Sequence, residues 1–198
     1  MNKIILEPIW QTNDLEFDKL YSERIRQLSR KHWTPMEIAK KAARFLASAP
    51  GTKILDIGSG VGKFCLIGAY NFPASFFYGI EQREDLYQIA VTAKGTTGTG
   101  NANFFLGNLT QVDHTRFDHF YFYNAFYENL AGDGHIDQLL PYSTELYLYY
   151  SRYLYGMLES KKSGTRLVTF HSLEDEVPPC YQLVDATVDL NLKMWVKS

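Results

Sequence analysis

Ile54-Leu-Asp-Ile-Gly-Ser-Gly-Val-Gly-Lys-Phe64 is the stretch on which the reading of this chain turns. A short run of β-forming residues ends at Ile57, and three glycines follow at every second position, Gly58, Gly60 and Gly62. So much backbone freedom in one turn costs conformational entropy. The usual return is close approach of the main chain to a ligand or another segment. The turn is expected to leave a buried strand and open directly into a helix.

Working outward, the same rhythm repeats. KILDIG predicts a strand and VGKFCLIGAYNF a helix starting at the glycines; SFFYGIE predicts a second strand and REDLYQIAVTAK a second helix. KGTTGTGN reads as a loop, NFFLGN and FDHFYFYN as the next two strands, TELYLYYSRYLYGMLES as a long helix and GTRLVTFH as a fifth strand. An acidic loop, LEDEVPP, precedes YQLVDATVDLNLKMWVKS, which has no room for a helix and reads as a hairpin. Strands alternating with helices predict an α/β, doubly wound, mostly parallel sheet, here with a C-terminal antiparallel hairpin placing one antiparallel strand at or near an edge. The N-terminal helices come before it. DLEFDKLYSERIRQLSR carries a helical apolar stripe, and in HWTPMEIAKKAARFLASAPG the start signal is Thr34 as N-cap, Pro35 at the first position and Glu37 at the third, with Pro50-Gly51 as the stop. The boundaries expected are 1–50 for a helical lid or extension and 51–198 for the core.

The 198 residues suit one domain. Eight basic residues lie between Lys19 and Arg44 against only Glu23 and Glu37, although the whole chain carries a net charge of −2. Such a segment is a solvated helix face or the footprint of an anionic partner. A nucleic acid partner is possible but not favoured, because a dedicated binder would be more basic overall. Cys65 and Cys180 make neither a disulfide scaffold nor a metal pattern, and His114, His119 and His135 are not clustered, so no metal is expected. The first ten residues are too short and polar for a secretory signal, and no apolar run reaches the ~20 residues of a membrane span. A cytoplasmic location is expected, and the sequence is silent on oligomeric state.

Three readings compete for the glycine turn: no ligand at all, a dinucleotide, or a nucleoside with a cationic tail. A dinucleotide turn has G-x-G-x-x-G spacing and sets a pyrophosphate at the helix N-terminus. Here the spacing is G-x-G-x-G, and Asp56 would repel a phosphate there while suiting an ammonium group. The motif [D/E]-x-G-x-G-x-G, matched by Asp56, Gly58, Gly60 and Gly62, resembles the first motif of the class I S-adenosylmethionine-dependent methyltransferases. The resemblance spans about Lys53 to His171 and implies that S-adenosyl-L-methionine is the cofactor, with the turn from Asp56 through Ser59 to Phe64 passing under its methionine part. It also implies that Glu81, ending the second strand, accepts hydrogen bonds from the ribose diol, for which a carboxylate offers two oxygens. By the same resemblance Gln82 and Arg83 lie beside the adenine, and Gly107-Asn108-Leu109 after the third strand reads its amino group. Trp33-Thr34-Pro35 would close over the methionine end, making Thr34 a further candidate for cofactor binding.

The acceptor is expected at the carboxyl end of the fourth strand. There Asn124-Ala-Phe126 resembles the N-P-P-F signature of amino-group methyltransferases, whose Asn carbonyl receives the target nitrogen. Ala125 replaces the first proline and the second is missing, which removes the rigidity proline would give. A looser resemblance, to the non-SET protein-lysine methyltransferases, rests on the G-S-G-V-G turn and an Asn followed by aromatics. Asn124 therefore belongs to both the cofactor and the acceptor sides, and Tyr127 and His171 complete the candidate catalytic residues. Tyr123, Phe126 and Tyr127 serve equally as pocket wall or core. Two other functions stay open: a binding module that keeps the cofactor and has lost the chemistry, and a nicotinamide-dependent oxidoreductase, for which no Y-x-x-x-K lies on a suitable helix.

Overall fold

The computed structural model describes residues 7–130, 136–137, 140–172 and 174–198. His135 and Leu173 lie outside the described residues. Among the described residues seven strands form one sheet: β1 (Lys53–Ile57), β2 (Phe76–Glu81), β3 (Ala102–Leu106), β4 (His119–Phe122), β5 (Arg166–Phe170), β6 (Tyr181–Ala186) and β7 (Leu192–Lys197). Their order is β3-β2-β1-β4-β5-β7-β6. The first five pair in parallel, and β7 runs antiparallel to both β5 and β6. Chain order reverses between β1 and β4, the switch point at which open α/β sheets hold their ligands.

Side chains alternate across the sheet with the two-residue period of a strand. In β1, Ile54 belongs to one hydrophobic cluster, Leu55 and Ile57 to the other; in β4, Tyr121 faces the first, Phe120 and Phe122 the second. Both faces are therefore buried, and these central strands read as continuous apolar runs. The hairpin is explained the same way. β7 brings the buried Leu192, Met194 and Trp195 and fits between two strands, whereas β6 exposes Gln182 to Asp185 and takes the edge.

The helices are α1 (Asp14–Asp18), α2 (Glu23–Arg26), α3 (Ser29–His32), α4 (Met36–Leu46), α5 (Lys63–Asn71), α6 (Glu84–Thr97) and α7 (Thr144–Glu159). The stripe from Asp14 to Arg30 is thus three short helices rather than one. Phe17, Tyr21 and Ile25 are each buried, and extended backbone at Ser22 (φ −62°, ψ 157°) separates the turns, so tertiary docking overrides the local helical pattern. α4 begins without Thr34: Pro35 is the N-cap, and the Met36 amide donates to Asp14 Oδ1 at 2.9 Å. α6 runs three residues past Lys94 before Gly98 (φ +67°) stops it, so the stretch expected as a loop is helical at its start. Among the described residues no helix is long and apolar enough to cross a membrane.

The segment before β1 is sewn into the same core. Trp10, Phe17, Tyr21 and Trp33 share a cluster with Ile54 and Phe64. Lys63, at the start of α5, has its ammonium 2.5 Å from Asp14 Oδ1 and 3.2 Å from Asp18 Oδ1, and only 5% of its side chain is exposed. Tyr21 donates its hydroxyl proton to the Val61 carbonyl at 3.0 Å, tying α1 and α2 to the glycine turn.

Candidate functional site

A cavity of about 290 Å³ opens at the carboxyl ends of β1, β2, β3 and β4. That is near the lower bound of roughly 300 Å³ for pockets that take small molecules. Its floor is the glycine turn, its back wall the ends of β2 and β3, and its front the loop after β4; Leu28 to Trp33 close the remaining side.

Each turn glycine has its own reason. Gly58 (φ +76°) touches the loop after β4: a Cβ there would lie 2.5 Å from the Ala125 Cβ. Gly62 (φ +84°) caps α5, and a Cβ there would meet the Phe104 ring at 2.5 Å. Gly60 (φ +53°) has nothing within 4 Å of its missing Cβ. Its backbone therefore lies bare, and its amide donates to Glu81 Oε2 at 2.9 Å.

Glu81 sits at the centre of this construction. Its other oxygen accepts the Arg83 amide at 2.9 Å. Burial raises its carboxyl above the usual range, and the amides of Arg83 and Gly60 oppose that shift by stabilising the anion. Each carboxylate oxygen has a second lone pair, so two main-chain donors orient Glu81 without saturating it.

Gln82, Gly107, Asn108 and Leu109 also line the cavity. Asn108 is tied locally: its Oδ1 accepts the Thr110 amide at 3.1 Å and its Nδ2 donates to Gln82 Oε1 at 3.2 Å. Asn124, also on the wall, adopts φ +39°, which Asn tolerates better than other side chains. Among the described residues its carboxamide has no hydrogen-bond partner. Tyr127 stands at the rim with 51% of its surface exposed.

Other expected site residues point elsewhere. Asp56 does not line the cavity: its side chain shares the buried face of Tyr121 and accepts the Cys65 thiol at 3.6 Å. Burial pushes its pKa up to about 8, so it is no ready anion for a ligand ammonium. Ser59 turns its hydroxyl against Gly79 of β2, where it is buried with no partner among the described residues. Phe64 is a core residue stacked on Tyr121, with ring centroids 4.0 Å apart. Thr34 is buried beneath the cavity, its hydroxyl 2.8 Å from that of Tyr121. His171 is exposed outside the cavity (φ +55°), packed beside Phe170 and Tyr123. For Asp56 and Phe64 the alternation of strand and helix faces turns the side chain into the core; Ser59, Thr34 and His171 lie in irregular backbone outside β1 and α5.

Arg83 and Trp33, both expected near the ligand, line the cavity, but the contacts of Arg83 and the presence of Lys31 and His32 beside Trp33 were not read from the sequence. Arg83, with 3% of its side chain exposed, forks onto Glu128 (3.1 and 2.7 Å), reaches Asp137 at 3.0 Å and donates to the Tyr142 hydroxyl at 2.8 Å. One guanidinium thus joins the Glu81 corner to the loop after β4. The only local signal was its place two residues after Glu81. On the opposite side stand Lys31, His32 and Trp33, where the Tyr123 hydroxyl donates to the Lys31 carbonyl at 3.2 Å.

No protein-family model matches the sequence, and no curated protein matches it. Solved structures do. An RNA methyltransferase from Salinibacter ruber, in complex with S-adenosyl-L-homocysteine, superposes with a TM-score of 0.57 at 20% identity, covering 83% of this chain and 92% of that one. TrmN from Thermus thermophilus gives 0.58 at 19% identity over 88% of this chain, which spans 52% of TrmN. The putative methyltransferase yhhF from Escherichia coli gives 0.54 at 15% identity, covering 82% and 84%. At these identities the likeness is one of fold. The chain has the seven-strand α/β fold of the class I S-adenosylmethionine-dependent methyltransferases.

Proposed function

We propose that this protein binds S-adenosylmethionine in the cavity and transfers its methyl group to a nitrogen of an acceptor entering past Asn124. The observation that carries the reading is Glu81, a carboxylate held toward the cavity by the amides of Gly60 and Arg83 with lone pairs to spare. A ribose diol has the two donors that such a group accepts. The bare backbone of Gly60 and the small Ala125 leave the turn open to the rest of the ligand.

The residues present fit this cofactor at the ribose corner, with Gln82, Asn108 and Leu109 placed for the adenine. When bound, it supplies an electrophilic methyl on a sulfonium. Asp56 plays no direct part in this reading; it shapes the turn from behind. Asn124, at positive φ and without a side-chain hydrogen bond among the described residues, presents a carboxamide oxygen to a donor nitrogen. Transfer is an in-line displacement, so the work of the chain is positioning and exclusion of water. Phe126, Trp33 and Tyr150 supply apolar wall for that purpose. In this reading the segment before β1 acts as the lid, with Trp33 as its inner face.

Methyl-labelled S-adenosylmethionine incubated with the protein and separate peptide, RNA and metabolite pools tests the proposal. Label transferred to one pool, and lost with Asn124→Ala, is expected. Cofactor binding without transfer to any pool would leave a binding module and refute catalysis.

A further inference from the structure

The cavity wall carries an imidazole that the cofactor reading does not use. His32 ends α3, lines the cavity and is half-buried. Its amide donates to Leu28 within the helix, and the next carbonyl back, that of Lys31, accepts the Tyr123 hydroxyl from the end of β4. The backbone beside His32 is thus tied to the strand that leads into Asn124. Among the described residues the ring makes no hydrogen bond, and neither ring nitrogen is sealed from solvent. An imidazole and a carboxamide that line one cavity, neither with a hydrogen-bond partner among the described residues, are groups able to handle an acceptor and its proton.

We infer that His32 is the base that takes the acceptor's proton during methyl transfer, an inference that rests on the cofactor reading above. As the acceptor nitrogen forms its bond to the methyl carbon, the carbon–sulfur bond breaks and its electron pair remains on sulfur, which becomes a neutral thioether. The proton lost by the nitrogen passes to an open ring nitrogen of His32 and from there to water. A base must be neutral before it acts. Burial first, then the positive charges of Lys31 and Arg83, holds this imidazole below its ordinary pKa. The other ionisable groups on the cavity wall are Glu81, Glu128, Tyr123, Tyr127 and Tyr150.

The test needs no acceptor. Sinefungin carries an amine where S-adenosylmethionine carries its transferable methyl, whereas S-adenosylhomocysteine carries nothing there. Calorimetry at pH 8 and pH 5 gives the ratio of their affinities, in which effects shared by both ligands, including titration of Asp56, cancel. The preference for sinefungin is expected to fall roughly fivefold or more on acidification, the scale of a modest site-to-site coupling. His32→Gln, which keeps Glu81 and Glu128, is expected to abolish that pH dependence while leaving S-adenosylhomocysteine affinity intact; His32→Asn serves as a second variant against misfolding. A flat ratio in the wild type, or an unchanged pH dependence in both variants, would overturn the role of His32 and leave the cofactor reading standing. Failure of both ligands to bind the wild type would remove the cofactor reading and this inference with it, whereas failure of sinefungin alone at both pH values would overturn only the role of His32.

Discussion

Gly58 and Ala125 touch across the switch point: a β-carbon on Gly58 would come within 2.5 Å of the Ala125 methyl carbon. The turn after β1 and the loop after β4 are therefore one packed unit. Gly58→Ala is expected to destabilise the fold through both the clash and the positive φ, and Ala125→Gly is expected to restore part of the loss. Gly60→Ala meets no atom and costs only the left-handed strain of about 1–2 kcal/mol, yet it fills the bare floor of the cavity. Urea melts with ligand titrations distinguish the two: the first variant loses the more stability, and the second loses affinity beyond its smaller loss of stability. Equal behaviour in both would contradict the division.

Glu81 gives the most direct binding prediction. Glu81→Ala is expected to weaken S-adenosylhomocysteine binding by about 1.5–3 kcal/mol, the scale of hydrogen bonds to a charged group. The same change frees the Gly60 amide, so a drop in melting temperature accompanies it. Unaltered affinity would take Glu81 out of the site.

The Arg83 clamp predicts a stability effect. Arg83→Met leaves Glu128 and Glu81 without their nearest cation, and breaking a buried pair from one side costs about 3–5 kcal/mol. Adding Glu128→Leu to Arg83→Met is expected to recover part of that, as a double-mutant cycle in urea would measure. Strict additivity would show that the two side chains do not depend on each other.

Asp56 sets a pH dependence of definite sign. Its folded pKa, about 8, lies above that of an ordinary carboxyl, so the folded chain holds a proton that the unfolded chain has released. Stability from this group is present at low pH and is lost as pH rises through the interval from the ordinary value to about 8. Asp56→Asn cannot ionise and is expected to gain stability relative to the wild type as pH rises from 5 to 8. A difference that does not change with pH would show that Asp56 is ionised in the folded protein.

What could be read from the sequence divides along a physical line. The glycine turn, the ends of β2 and β3 and the alternation of strands and helices are local patterns, and they placed Glu81, Gln82, Gly107, Asn108 and Leu109 on one cavity. Side-chain direction was harder: Ser59 and Phe64 lie in the turn but point into packing that only the assembled sheet defines. Thr34 looked like a cap because the true partner of the Met36 amide, Asp14, is 22 residues away. Arg83 and Glu128 are 45 residues apart, and no local spacing announces their pairing. His32 escaped for the same reason, since nothing in Arg30-Lys-His32 tells that the segment forms a cavity wall.

Side-by-side calorimetric titration of the wild-type protein with S-adenosylhomocysteine and with NAD tests the central claim most directly. The account predicts saturable binding of S-adenosylhomocysteine at a single site, lost in Gly60→Ala, and no heat from NAD. Binding of NAD with none of S-adenosylhomocysteine would contradict it.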